Sequence, residues 1–185
     1  MKKIIFIVLI FNSIFGYCQS KWYSQFELDT NIPNRMEYNY SFMNRGTEID
    51  LESKIGIALQ YSINRYISKR FSLGGILRIH SQYGPKFFSF GTGLKVKYFF
   101  VNHENIHLLF RYLPNFSFNS KKFQFGNNLR IGLATYFGSK KNLILGVFKE
   151  MNHYNLNGSE PLVFGNETPS TLYVHSYGIS FGIKF

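Results

Sequence analysis

Half of the ten acids, Asp29, Glu37, Glu48, Asp50 and Glu52, fall within residues 29–52, and carboxylates gathered in this way could hold a cation. In Glu48-Ile49-Asp50-Leu51-Glu52 they alternate, a spacing that could ligate calcium. No EF-hand spacing accompanies them, so a solvated strand extension is the plainer expectation. His80, His103, His107 and His175 stand at no metal-binding spacing, and the single cysteine, Cys18, excludes a Cys-based zinc site and a disulfide scaffold. No metal and no cofactor is expected. Gly74-Gly75 and Gly91-Thr92-Gly93 would suit phosphate loops only between a strand and a helix. A second charged set, Glu27 and Glu150 with Arg78, Lys95, Lys97, Arg111 and Arg130, is scattered along the chain. What that set can do depends on the elements that carry it.

Those elements are strands. Ile55, Ile57, Leu59, Tyr61 and Ile63 alternate with Gly56, Ala58, Gln60 and Ser62, a period of two. The same alternation recurs through residues 71–79, 88–98, 106–116, 123–137, from 143 onward and 173–185, with a weaker run at 22–28, which makes eight. The glycine pairs lie inside these runs, so they mark curvature or close packing.

A soluble sandwich would alternate too, but its outward face would be studded with Lys, Glu and Thr. Here the polar face is mostly Gly, Ser, Asn and Ala with isolated Arg and Lys. Small residues suit the crowded inside of a narrow barrel, and a large apolar face suits lipid. The connections alternate as well. Residues 64–69, 101–105 and 138–141 are short, whereas the other set (30–51, 83–86, 119–122 and 156–170) contains the two long ones. Aromatics gather near strand ends: Tyr98, Phe99, Phe100, Tyr136 and Phe137 at one rim, Tyr83, Phe87, Phe118 and Phe123 at the other. They are expected to form interfacial girdles. The expected fold is all-β, an eight-stranded antiparallel up-and-down transmembrane β-barrel.

Met1-Lys2-Lys3 followed by an apolar run over residues 4–11 has the form of a signal peptide, with cleavage after Cys18 or Ser20. The favoured division is a signal at 1–18 and a barrel domain at 19–185. A lipidated Cys18 is the other reading, with Tyr17 where a small residue belongs. Removing Lys2 and Lys3 lowers the net charge from +11 to +9. An exported chain meets no genome, so nucleic acid is not an expected partner.

The chain ends Tyr177-Gly178-Ile179-Ser180-Phe181-Gly182-Ile183-Lys184-Phe185. This amphipathic strand with a terminal aromatic resembles the assembly signal of bacterial outer-membrane β-barrel proteins, carried by Tyr177, Ile179, Phe181, Ile183 and Phe185. The resemblance implies an outer-membrane location, periplasmic termini, contact with outer-membrane lipid and lipopolysaccharide, and delivery by the barrel-assembly machinery. A second likeness is partial. His153-Tyr154-Asn155 with Glu167 fourteen residues later is similar to the His-x-Ser…Glu arrangement of the lipid A 3-O-deacylase family. In that chemistry His153 would be the general base, Glu167 its orienting acid and a serine the nucleophile. Asn155 stands in the place of that serine, and an amide cannot be acylated; the bland alternative is a polar His in the interfacial belt.

Inward parity places Glu27, Arg78, Lys95, Lys97, Arg111, Arg130 and Glu150 in the lumen. An eight-stranded lumen is just wide enough for side chains to fill, which favours a plugged, salt-bridged core over an anion path or a bound anionic headgroup. The function expected is that of a non-enzymatic membrane protein whose long loops meet the envelope or a protein partner. A lipid A esterase acting through His153 is the alternative.

Overall fold

The computed structural model describes residues 22–43, 45–101, 106–117 and 121–185. The expected signal peptide with Cys18, and His103 and Phe118, expected in a turn and at a rim, lie outside the described residues. The strands are β1 (Trp22–Phe42), β2 (Arg45–Asp50), β3 (Gly56–Tyr66), β4 (Phe71–Tyr83), β5 (Lys86–Phe99), β6 (His107–Ser117), β7 (Phe123–Phe137), β8 (Leu143–Leu156) and β9 (Thr168–Lys184). Each pairs antiparallel with its neighbour in the order β2-β1-β3-β4-β5-β6-β7-β8-β9, and β1 also pairs with β9. Eight strands therefore close on themselves, with β2 outside the ring. Closure leaves no edge in the wall, the condition for a sheet to sit in lipid.

The wall is inside-out relative to a soluble domain. Phe26, Leu28, Ile57, Phe110, Ile131 and Phe181 point outward, with 42–51 % of each side exposed. Inward positions are Gly, Ser, Asn, Gln and charged residues at almost no exposure. A continuous apolar exterior of this extent belongs against hydrocarbon.

Strand one is longer than its alternation suggests. Residues 30–51 were expected to be a loop, but β1 continues to Phe42 and turns back as β2, pairing Glu37 with Asp50 through Phe42 with Arg45. Along its other edge β1 stays on β9 as far as Ser41. The outer half is hidden from a period-two reading because the register shifts between Pro33 and Arg35. Buried positions are odd-numbered through Asn31 and even-numbered at Met36 and Tyr38. Proline lacks the ladder donor, and a bulge there inverts the side-chain sense.

Half of the expected girdle turns inward. Phe87, Phe99, Phe123 and Tyr136 are 0–5 % exposed, while Tyr98, Phe100 and Phe137 remain outside. Depth alone suggested a belt, but Phe99 shares the face of Lys95 and Lys97, and Tyr136 that of Arg130. Phe123 is carried inside by a register shift between it and Gly126.

Candidate functional site: charged lumen and clasped loop

The lumen is layered. At the end bearing the short turns, Phe99, Tyr136 and Ile144 form one apolar stopper, with Tyr66 against it. At the loop end Met36, Tyr38, Phe87, Phe123, Tyr154 and Leu156 belong to a larger stopper, against which Ile49, Leu51 and Leu162 pack. Between the two lie the charges.

Glu150, from β8, is the hub. Its Oε1 accepts from Arg78 at 2.8 Å, Asn152 at 2.9 Å and Asn31 at 3.1 Å. Its Oε2 accepts from Arg111 at 2.8 Å and from Arg130 Nε and Nη2 at 2.8 and 2.5 Å. Arg130 also donates to Asp29 at 2.6 Å and lies on the Phe148 ring, 3.4 Å from its centroid. Arg111 donates to Asn128 at 2.9 Å and to Gln60. One layer toward the turn end, Lys95 pairs with Glu27, whose other oxygen accepts from Ser180 at 3.1 Å. Lys97 donates to Gln25 and, at 3.1 Å, to the Tyr136 hydroxyl. All of these groups are buried, so the pairing offsets a desolvation that would otherwise be prohibitive.

The structure thus brings Glu27, Arg78, Lys95, Lys97, Arg111, Arg130 and Glu150 into one interior, in two layers. Asp29 belongs with them and not with the acidic segment that its place in the sequence suggests; it is fully buried. Its parity, two residues from Glu27, was the available signal. Five cations face three carboxylates, a surplus of two among the buried lumen residues. A void of about 10 Å³ beside Glu27, Lys95 and His107 has room for at most one water. No solute larger than that fits there.

The loop end carries different chemistry. Glu167 is buried, and its carboxylate accepts from Tyr38 Oη at 3.1 Å and from the backbone N–H groups of Leu162, Val163 and Phe164 at 2.7, 2.6 and 2.9 Å. Burial pushes this carboxyl up, but the backbone N–H donors outweigh burial and hold it at about 2. Glu167 therefore clasps the loop at 162–164 onto β1.

His153 faces outward on β8, as its parity implies, and stacks on Tyr173 with centroids 4.6 Å apart; its Nε2 has no hydrogen-bond partner. Asn155 pairs with Thr171 in the β8–β9 ladder. Four donors from other residues occupy the carboxylate that would orient the histidine, and no serine stands in the triplet. In the acidic segment, Glu37, Glu48 and Asp50 surround Arg35 at 2.9, 3.4 and 3.1 Å. Asp29 is remote from them in the lumen. The C-terminal residues Tyr177, Ile179, Phe181, Ile183 and Phe185 all point outward, and Phe185 N donates to Ser24 O at 2.9 Å, stitching the end of the chain to β1.

An apolar wall around a sealed polar interior defines a transmembrane β-barrel of the small eight-stranded class, the fold of outer-membrane barrel proteins. Solved outer-membrane barrels share it. The outer membrane protein OprG from Pseudomonas aeruginosa is similar over 89 % of this chain and 95 % of its own, at 11 % identity and a TM-score of 0.53. The outer membrane protein AlkL, solved in lipid bilayers, is similar over 92 % of this chain and 93 % of its own, at 13 % identity and a TM-score of 0.50. No protein-family model and no curated protein sequence matches the chain.

Proposed function

We propose that the chain is exported, inserts in the outer membrane as a plugged barrel with both termini periplasmic, and acts without catalysis through its external face. The observation that carries this reading is the closure of the interior, with apolar stoppers at both ends and interlocked charges between them. What remains for recognition is the rim: the β1–β2 hairpin with its Arg35-centred charges, and the loop 157–167 clasped by Glu167. Lipopolysaccharide and other outer-membrane lipid are the contacts that an apolar wall under a charged rim would meet. A protein partner would dock on the hairpin. The outward-facing strand Tyr177–Phe185 is the segment offered to the barrel-assembly machinery.

Two measurements test this. Reconstituted in planar bilayers, the protein gives no discrete conductance; stable single-channel steps would replace the plugged reading with a pore. Lipid A from cells with and without the protein has the same acyl count by mass spectrometry. A lost acyl chain that His153→Ala restores would establish a hydrolase in its place.

A further inference from the structure

One part of the lumen gathers buried polar atoms that have no hydrogen-bond partner, two of its side chains being obligate donors. Arg78 crosses from β4 to donate through Nη2 to Glu150, but its Nε and Nη1 are buried without partners. The same holds for both ring nitrogens of His80 and for Asn115 Nδ2, and the paired hydroxyls of Ser89 and Tyr154 stand beside them. These five residues are 0–2 % exposed and come from four strands. Their register draws them together. His80 faces Ser89 across the β4–β5 ladder, and Arg78 faces Gly91, which in turn faces Asn115 on β6. Gly91 has no side chain, and Asn115 lies across it; a Cβ there would collide with Asn115 Oδ1. Tyr154 enters from β8, two inward positions beyond Glu150. Phe87 covers the group, edge-on to both Tyr154 at 4.7 Å and His80 at 6.0 Å.

Charge selects the occupant. In the hub layer three guanidiniums (Arg78, Arg111 and Arg130) face two carboxylates (Asp29 and Glu150), leaving a surplus of +1. Arg130 and Arg111 each contact both acids, whereas Arg78 contacts only Glu150, so the surplus lies on Arg78, on the edge that carries its unpaired N–H groups. Arg78 and Asn115 Nδ2 can only donate, so they require an acceptor. A buried donor without one is strongly disfavoured, and a monovalent anion satisfies the donors and cancels the charge together.

We propose that the loop-end half of the lumen binds one small monovalent anion of halide size, held by Arg78, Asn115, His80, Ser89 and Tyr154. Phe87, edge-on to His80 and Tyr154, closes the loop side of the site, so the occupant enters as the barrel folds. The site is structural: it completes the plug.

The test is refolding of the full barrel in sodium bromide, followed by anomalous diffraction at the bromine edge. The expected result is a bromide peak in contact with Arg78 Nη1 and Asn115 Nδ2; an ordered water there, or no density, overturns the proposal. A solution measurement decides independently. At equal ionic strength, the wild-type melting temperature is expected to be about 5 °C higher in chloride than in the much bulkier gluconate. Arg78→Met should abolish that difference, and a difference that persists in Arg78→Met overturns the assignment. If Arg78→Met does not refold, the wild-type bromide map alone decides.

Discussion

Two clusters in this barrel use the same chemistry in opposite surroundings. In the lumen, Glu150 sits among Arg78, Arg111 and Arg130, all at 0–1 % exposure. On the rim, Arg35 sits among Glu37, Glu48 and Asp50 with its side chain 52 % exposed. Contacts are 2.5–2.8 Å in the first and 2.9–3.4 Å in the second, a difference too small to account for their different roles. Dielectric does. Water screens the rim charges and competes for each partner, whereas in the sealed lumen a lost partner has no substitute. The lumen cluster holds the fold, and the rim cluster shapes a surface.

The comparison breaks hardest at its hub. Glu150→Gln leaves three guanidiniums without their shared carboxylate, and a loss of about 3–5 kcal/mol is expected in urea unfolding from detergent micelles. A variant within 1 kcal/mol of wild type would mean that the lumen admits water. The Lys95–Glu27 pair sharpens the point: Glu27→Gln alone should cost about 2–3 kcal/mol by the same measurement. Replacing both partners, Glu27→Leu with Lys95→Met, should recover most of that loss, because neither charge is then left buried.

Glu167 lies between the extremes, outside the membrane-spanning wall but buried. Its carboxyl is held at about 2, below the ordinary 4.5, so its clasp is at full strength above about pH 4.5 and is lost as pH falls toward 2. Amide exchange at Leu162, Val163 and Phe164 should accelerate over that window while the barrel strands stay protected. Glu167→Gln should show the fast exchange at neutral pH. Arg35→Ala is the smallest effect: under about 1 kcal/mol, and smaller still at high salt.

Much of this could be read from the chain. All eight barrel strands follow from alternation, because side chains on a strand change face at every residue and each face here has its own chemistry. The inward parity of Glu150, Arg111 and Arg130 followed from the same rule, as did the outward parity of His153 and the terminal strand. The rule failed where the ladder shifts. The bulge at Pro33 concealed the outer half of β1, and with it Met36 and Tyr38 in the loop-end stopper. Asp29 was misplaced because β1 was cut short. Phe87, Phe99 and Tyr136 were assigned by height along the wall although their parity pointed inside.

Wherever the ladder runs without a shift, the sequence by itself determined the strands, which face of each meets lipid, and which residues enter the lumen, since these depend only on side-chain alternation and polarity. Tertiary structure alone decided which of those residues meet. Arg78 and Glu150 are 72 residues apart in the chain, and Asp29 and Arg130 are 101 apart. Their encounter depends on the register at which eight tilted strands close, through β1 on β9, and a slip of two residues would keep every side chain on its face while giving each charge a different partner. The polar groups beside Arg78 divide in the same way: His80 shares its strand, Ser89 and Asn115 reach it through the neighbouring ladders, and only closure brings Tyr154 across from β8.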